Sequence, residues 1–556
     1  MVSCVYLHTE RGVDVLRKNG LPTGGRRAIF WAVFLSMFVF GWMDSAEAAE
    51  KIIFIAHDNR PISMRQTADV AEQAGCRLAM PPEEFLSRDV DQPGQPEALW
   101  AWLEENARSA RAAVLSSDSL LYGGLIASRK HEISREDIDA RVARFRDLRA
   151  QYPSLRIYLF GSLMRTPKSG LYAGREEPAY YNAYGADIFQ YTALEDKAEM
   201  GTLSRREQKR MQELKKSVPA DVMADWIGRR EKNLSATKRL VDMVQEGIID
   251  SFVVGRDDNA PLCRTHKENR ELRAYAEAKA LPAYKFRSMA GIDEFNLLLL
   301  TRAVNDLRSE IPFVHVEYNE GAGADTVPSF SDERIGTSIR DSLALAGGMM
   351  VPRAERADFV LLVNTDPEGY TGESVVIPSS KDPIVNDGKE RRGTKHFVRL
   401  VRDHIGKGYP VGVADVAFAN GADVTLMENL RKEGLLEKLR AYGGWNTATN
   451  STGFVLATGM LALGMTAEGR KSLLAQRFLE DWGYQSGVRQ SVVEMLAAEG
   501  HWEACLKLDS FRPQAEELAT KLLRKFAKEK LPFFHGAEHL QVRLPWNRTF
   551  ECELKY

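Results

Sequence analysis

The chain has 556 residues, enough for a large core and more than one structural unit. Lys plus Arg number 75 and Asp plus Glu 77, leaving a formal net charge of −2. That balance provides no basic field for nucleic acid and no acidic tail, and a composition of 44% hydrophobic and 27% charged residues is ordinary for a globular protein.

Lys18, Arg26 and Arg27 precede an apolar run over 28–43, and Ala46-Glu-Ala48 follows it. A basic flank, a short apolar core and small residues at a cleavage point make 1–48 a secretory signal region. The competing reading is an uncleaved anchor, but the run is short for a bilayer and no later segment is apolar enough to span one. The mature chain is therefore expected to be exported, periplasmic or extracellular, with no membrane span. Cys76, Cys263, Cys505 and Cys552 remain beyond the signal and form no C-x-x-C pair, which argues against a zinc ribbon. Export permits disulfides, and Cys505 with Cys552 is the most local pair, although spacing does not establish the bond.

From Lys51 onward short apolar strands alternate with amphipathic helices. Strands are predicted over 52–56, 112–116, 156–160, 251–255, 283–287, 313–317, 359–364 and 411–415. After Arg135 the helical spacing puts Ile138, Val142, Phe145 and Leu148 on one face. Near Asn233 it does the same with Leu234, Thr237, Val241 and Val244. The class is α/β with parallel β-α-β units. About eight units fit a TIM-like barrel, the slightly favoured count, or two facing doubly wound subdomains.

This body, 49–464, is interrupted twice. The insertion over 167–230 holds Tyr180-Tyr-Asn-Ala-Tyr184 and a charged helix over 203–216 that reads as a solvated face. The insertion over 367–393 is rich in Gly, Pro, Ser and Asp and long enough for a lid. The segment 465–556 reads as a cap continuous with the body. It is mainly helical, with a Leu518, Leu522, Phe526 stripe, and ends in an extended piece over 541–555.

Ligands of α/β folds sit at the C-terminal ends of parallel strands. Here those ends carry His57-Asp-Asn-Arg-Pro61, Asp118 with Tyr122-Gly-Gly124 and Arg129, Met164-Arg-Thr-Pro167, and Arg256-Asp-Asp-Asn-Ala-Pro261. They continue with Gly291, Asp293 and Glu294, then Glu317-Tyr-Asn319, Asn364 with Asp366, and Asp415 before Asn420-Gly-Ala-Asp423. The last is followed by Ala441-Tyr-Gly-Gly-Trp-Asn-Thr-Ala-Thr-Asn450, where an indole, carboxamides and hydroxyls crowd behind two glycines. Asp and Asn favour turns, which accounts for about half of these placements. Arg60, Arg165, Tyr122 and Trp445 are not explained that way. Asp, Asn, Arg and Trp together suit a carbohydrate, through paired hydrogen bonds to hydroxyls and an aromatic face for the ring.

Glycoside hydrolysis needs one protonated and one ionised carboxyl group. Asp258 and Glu317 are the first candidates for that pair, with Asp118 and Asp257 next. Asp257 and Asp258 are adjacent, so on an extended chain only one of them faces the pocket. Asp58, Arg60, Tyr122, Arg165, Asn259, Glu294, Asp415, Trp445, Asn446 and Asn450 are the candidate substrate-binding residues. G-x-S-x-G, H-E-x-x-H, Walker and complete G-x-G-x-x-G motifs are absent, so no cofactor is expected. His57, Asp58, Asp118, Asp257 and His315 could supply ligands to a metal, but their spacing is not that of a ligand set, and no metal is assigned.

These strand-end motifs, with Pro545-Trp-Asn-Arg-Thr-Phe550 in the tail, resemble the bacterial domain-of-unknown-function family numbered four-one-two-seven over nearly the whole mature chain. Members begin with Leu-Asp-Asp/Glu-Arg-Pro where this chain has His57-Asp-Asn-Arg-Pro61. The resemblance implies a shared architecture, with the tail and the α/β body as one unit, and no particular activity. The residues themselves lead to an exported carbohydrate-active hydrolase, a glycosidase working on polysaccharide or cell-wall fragments, with a small-molecule or oligosaccharide ligand. The alternatives are a non-catalytic sugar-binding protein and a metal-dependent hydrolase.

Overall fold

The computed structural model describes residues 50–169, 175–201, 203–375 and 383–556. Short aliphatic runs form two open, wholly parallel sheets. The first contains β1 (Lys51–Ile55), β2 (Arg77–Ala79), β3 (Ala112–Ser116), β4 (Arg156–Leu163), β5 (Ser251–Arg256) and β6 (Phe286–Ala290), in the order β2-β1-β3-β4-β5-β6. The second contains β7 (Phe313–Tyr318), β8 (Met349–Met350), β9 (Phe359–Asn364), β11 (Val411–Asp415) and β13 (Ala441–Gly443), in the order β13-β11-β9-β7-β8. A separate parallel pair joins β10 (Gly372–Glu373), within the second insertion, to β12 (Phe418–Ala419).

The barrel alternative does not form; the two doubly wound subdomains do. In each sheet the chain reverses its direction of winding once, between β1 and β3 and between β7 and β9. Loops leaving the strands on either side of such a reversal diverge and leave a crevice at the strand C-termini. His57 and Asp118 stand at the first reversal, Asn319 and Asn364 at the second.

Helices form where the periodicity predicts. α1 (Arg135–Gln151) is capped by Ser134, whose hydroxyl accepts from the Asp137 N–H, and it buries Ile138, Val142, Phe145 and Leu148. α2 (Arg205–Ser217) opens with a Ser204/Glu207 capping box and buries only Leu214, so the charged helix is solvated. α3 (Ala220–Gln245) turns Leu234, Thr237, Val241 and Val244 inward. The first insertion has a small core of its own around Tyr181, Ile188, Val218 and Trp226. α4 (Arg264–Ala278) connects β5 to β6.

Two helices join the sheets. α5 (Phe295–Arg308) is buried on every side over Phe295–Leu300, and α6 (Ala448–Leu461) along its whole length. A helix without a polar face belongs inside a protein. Both lie in one apolar core that contains β1, β3, β4 and β5 and the Phe359, Leu361 and Val363 face of β9. Val360 and Leu362 point the other way, into a second core with Val411, Val413 and the C-terminal helices. Burial on both faces is why 359–364 reads as an unbroken apolar run.

The second core is closed by α7 (Arg512–Lys530), which buries Ala515, Ala519, Leu523 and Ala527. The expected Leu518, Leu522 and Phe526 stripe is only partly buried and flanks that small-residue face. β14 (Gln541–Arg543) and β15 (Glu553–Lys555) pair antiparallel, and the loop between them returns to the first sheet. All four described cysteines are free, so the Cys505–Cys552 bond is not formed. No described helix is long and apolar enough to cross a membrane. The expected signal region, 1–48, lies outside the described residues.

Phe359 shows how tightly α6 sits on its sheet. A Cβ added at Gly459 would come within 2.1 Å of the Phe359 ring, and one at Gly412 within 2.4 Å. Gly459→Ala should therefore lower stability by about 1–3 kcal/mol through overpacking. Phe359→Leu in the Gly459→Ala background should recover part of that loss in a denaturant titration. Equal stability of Gly459→Ala and wild type would contradict this packing.

Candidate functional site

The loop after β1 contributes the first buried polar network. Arg60 Nε donates to Asp58 Oδ2 at 2.9 Å, and Arg60 Nη2 to Asp293 Oδ1 at 2.7 Å. His57 Nε2 lies 3.0 Å from the same Asp293 oxygen, and Ser63 Oγ lies 3.0 Å from that nitrogen. From the second subdomain Asn446 donates to Asp293 Oδ2 at 3.0 Å, with Asn450 Nδ2 at 3.5 Å. Asn446 reaches across because its backbone is left-handed (φ 63°), a conformation Asn tolerates better than most residues. Burial alone would raise the proton affinity of Asp293, but Arg60 and then His57 outweigh it and hold the carboxyl well below the usual carboxylate range.

A second network stands at the ends of β4 and β5. Arg165 donates to Glu177 Oε1 at 2.8 Å and to Asp258 Oδ2 at 2.6 Å, and pairs with Glu176 at 2.9 Å. Arg129 pairs with Asp257 at 2.5 Å and with Glu176 at 3.1 Å. Arg548, from the loop between β14 and β15, also pairs with Glu176 at 2.5 Å and with Glu551. Asp257 and Asp258 thus enter the same network. The alternation expected of an extended chain fails because Asp258 is left-handed (φ 42°) and turns both carboxylates to one side. Trp546 closes the group from above: its Nε1 donates to Asn59 Oδ1 at 2.7 Å, and Arg60 and Arg548 lie over its ring at 5.8 and 5.3 Å.

Asp118, at the end of β3, accepts from Ser162 Oγ at 2.7 Å. Burial raises it to about 6, against the opposing Ser162 hydrogen bond and the nearby His57. Glu294 is fully enclosed: Oε2 accepts from the Ile292 N–H at 3.0 Å, Oε1 has no partner, and burial holds its proton affinity well above the ordinary value. It is pressed against Gly291 and Gly453, where a Cβ would come within 2.0 and 2.6 Å of its side chain. Glu294 is therefore a packing group at the α5 N-terminus.

Several candidates serve the scaffold. Asp415 is fully buried and accepts from Asn364 at 2.8 Å, Tyr442 at 3.1 Å and the Asp423 N–H at 2.7 Å. Asn259 donates to Asp332 at 2.7 Å, and its N–H bonds Phe330 O at 3.2 Å, pinning the loop after β7 onto β5. Tyr122 stacks on His131 at 4.8 Å. Trp445 is 3% exposed and packs on Phe550, so its ring face is covered. Glu317 lies within β7, 2.9 Å from His404 and 3.7 Å from His315, and among the described residues shares no partner with Asp258.

Sequence reasoning placed Asp293 at a strand end but did not select it, and it missed Glu176, Glu177 and Arg548 as site residues. Glu176 and Glu177 lie in the first insertion, where no strand end marks them. Arg548 had a signal in the tail motif. Among the described residues no group of three or more His, Cys, Asp or Glu side chains is arranged to hold a metal ion. His57 and Asp58 are engaged with Arg60, and His315 stands apart with Glu317.

The chain belongs to the family described as protein of unknown function (DUF4127), whose model matches residues 52–555. No curated protein matches it.

Removing Asp293 leaves Arg60 and the two asparagines facing an empty position at the seam between subdomains. Asp293→Ala should cost about 3 kcal/mol, the usual scale for breaking a buried ion pair from one side. The check is a fall in unfolding midpoint well beyond that of an exposed control such as Asp325→Ala. A change within error of that control would show that Asp293 does not hold the seam.

Proposed function

We propose that this member of the family is an exported hydrolase acting on carbohydrate, a glycosidase in which Asp258 donates the proton. The observation that supports this reading is two carboxyl groups of opposed proton affinity on one guanidinium. Asp258 sits 2.6 Å from Arg165 Nη1 and Glu176 2.9 Å from Arg165 Nη2. Burial and the adjacent Asp257 push Asp258 up to about 7, against Arg165 and Arg129. Burial acts on Glu176 too, but Arg165, Arg548 and Arg129 outweigh it and keep it well below the carboxylate range. Near neutral pH one group therefore holds a proton for much of the time while the other is ionised, the division of labour that glycoside hydrolysis uses.

The Asp258 side chain is 31% exposed and that of Glu176 18%, so both reach solvent. In this reading Asp258 protonates the leaving oxygen and Glu176 supplies the ionised carboxylate. Asn446 and Ser162, both partly exposed, offer hydrogen bonds to hydroxyls. Glu317, paired with His404, has no part in it. Export rests on the signal features of 1–48. A non-catalytic sugar-binding protein is the second reading, favoured by the two subdomains meeting at their strand C-termini.

The test is a thermal-shift screen of the purified protein against mono- and oligosaccharides, with products read by mass spectrometry. A stabilising sugar should be cleaved, and Asp258→Asn should lower kcat by about 100-fold or more while the sugar still binds. Activity should fall as pH rises through about 7, because Asp258 then loses the proton it must donate. Full activity in Asp258→Asn would reject the assignment. A sugar that stabilises and stays intact would establish the binding protein instead.

A further inference from the structure

The loop after β7 carries a bulky residue in a backbone conformation that suits it poorly. Phe330 is left-handed, with φ 65°, where Gly or Asn would sit with less strain. The turn around it is closed by the Ser331 N–H on Pro328 O at 3.3 Å and the Ile335 N–H on Thr326 O at 2.8 Å. The Asn259 N–H donates to Phe330 O at 3.2 Å, and Asp332, two residues on, accepts from Asn259 Nδ2 at 2.7 Å. The Phe330 carbonyl is thus anchored one peptide unit from Asp258. Strained residues persist where the surrounding structure holds them, and they gather at ligand clamps and active sites. Core burial does not offset the strain: among the described residues Phe330 joins neither large apolar core, and it remains 42% exposed.

Two further exposed apolar side chains belong to the same strip. The loop runs against the start of the second insertion. Ser329 Oγ donates to Thr371 O at 3.5 Å, and a Cβ added at Gly369 would lie 3.2 Å from Ala322 Cβ and 3.8 Å from Thr326 Oγ1. Tyr370 therefore stands between two residues that touch this loop, and it is 44% exposed. Val327, within the loop, is 47% exposed. An aromatic ring exposed to this degree offers on the order of 100 Å². Three such side chains fall well short of the roughly 800 Å² per partner of a stable protein interface. The strip is the size of a small ring-shaped ligand, and its anchor, Asn259, follows a carboxyl group that is itself 31% exposed. A pyranose has the same divided character, with apolar C–H faces and a rim of hydroxyls, and small-ligand sites pair aromatic walls with a few placed polar groups.

We propose that Phe330 and Tyr370 form the aromatic platform of a subsite beside Asp258, on which a pyranose ring of an oligosaccharide lies flat. The inference rests on the carbohydrate reading and supplies the ring face that the covered Trp445 does not. It holds equally for a glycosidase and for a sugar-binding protein, because stacking contributes to binding and takes no part in proton transfer. The left-handed turn presents the Phe330 side chain to solvent while its carbonyl holds the Asn259 loop, so platform and carboxyl group keep a fixed spacing. Uncharged sugars with equatorial hydroxyls, whose C–H faces are flat, are the class it suits.

The experiment is calorimetric titration of the full chain with cellohexaose, chitohexaose, xylohexaose and maltohexaose, alongside sedimentation of the unliganded protein. At least one of the first three should bind. Phe330→Leu keeps apolar bulk and removes the ring, and it should weaken that binding about tenfold. Phe330→Trp should bind as tightly as wild type, and Tyr370→Leu should weaken binding in the same direction. Where the sugar is cleaved, Phe330→Leu should raise KM and leave kcat unchanged, with the unfolding midpoint read in parallel. A sugar that binds wild type and Phe330→Leu alike would overturn the platform and leave the carbohydrate reading standing. Equal loss in Phe330→Leu and Phe330→Trp would also overturn it, because the residue would then act by holding the Asn259 loop. A wild-type dimer broken by Phe330→Leu would make the strip a contact between copies of the chain and overturn the platform. Absence of binding by all four sugars would remove the carbohydrate reading and the platform with it.

Discussion

The carboxylate of Asp293 is the point on which the two subdomains agree. It follows the last strand of the first sheet, yet it takes hydrogen bonds from Asn446 and Asn450 of the second subdomain as well as from Arg60 of the first. A buried charge is tolerated only where its partners are in place, because desolvation penalises any arrangement that leaves it bare. Sliding one subdomain against the other would strand Asp293, Arg60 and His57 together. Apolar packing between α5 and α6 supplies the bulk of the attraction, but such packing accepts several registers. The polar tie selects one.

That selected register brings the C-terminal ends of both sheets together. Each sheet reverses its winding once, so each offers a crevice at its strand ends, and the seam joins them. The first sheet contributes nearly all the charge: Asp118, Arg129, Arg165, Asp257 and Asp258. The second contributes amides and backbone, with its own carboxylates Asp415 and Asp423 turned into the scaffold. The seam is thus asymmetric, with charged groups on one bank and uncharged hydrogen-bonding groups on the other.

Much of the scaffold was legible because burial on both faces writes itself as apolar runs. The stretches 112–116, 359–364 and 411–415 coincide with β3, β9 and β11. The fifth prediction, 283–287, fell three residues early, because Phe286 and Arg287 open β6 rather than close it. Strands of two or three residues, Arg77–Ala79, Met349–Met350 and Ala441–Gly443, carry too little pattern to read, and none is predicted there. Local periodicity also could not separate a closed barrel from two open sheets, since strand order is set by contacts far apart in the chain. In the site, residues following strands were identified, but their roles were not. Asp257 and Asp258 share one side only because of a left-handed backbone, and Glu176 joins them from an insertion. Trp445 is covered by Phe550, a neighbour about a hundred residues away in the chain.

The loop carrying Trp546 and Arg548 lies within the last dozen residues of the chain, yet it completes a network begun at Asn59 and Arg60. The strand ends of the first sheet are therefore completed by a residue 487 positions away in the chain. The Arg165–Glu176–Arg548 arrangement exists only once this loop has folded back onto the first sheet. Losing the loop that carries Arg548 would act on this buried charge network and not on a peripheral strand pair alone.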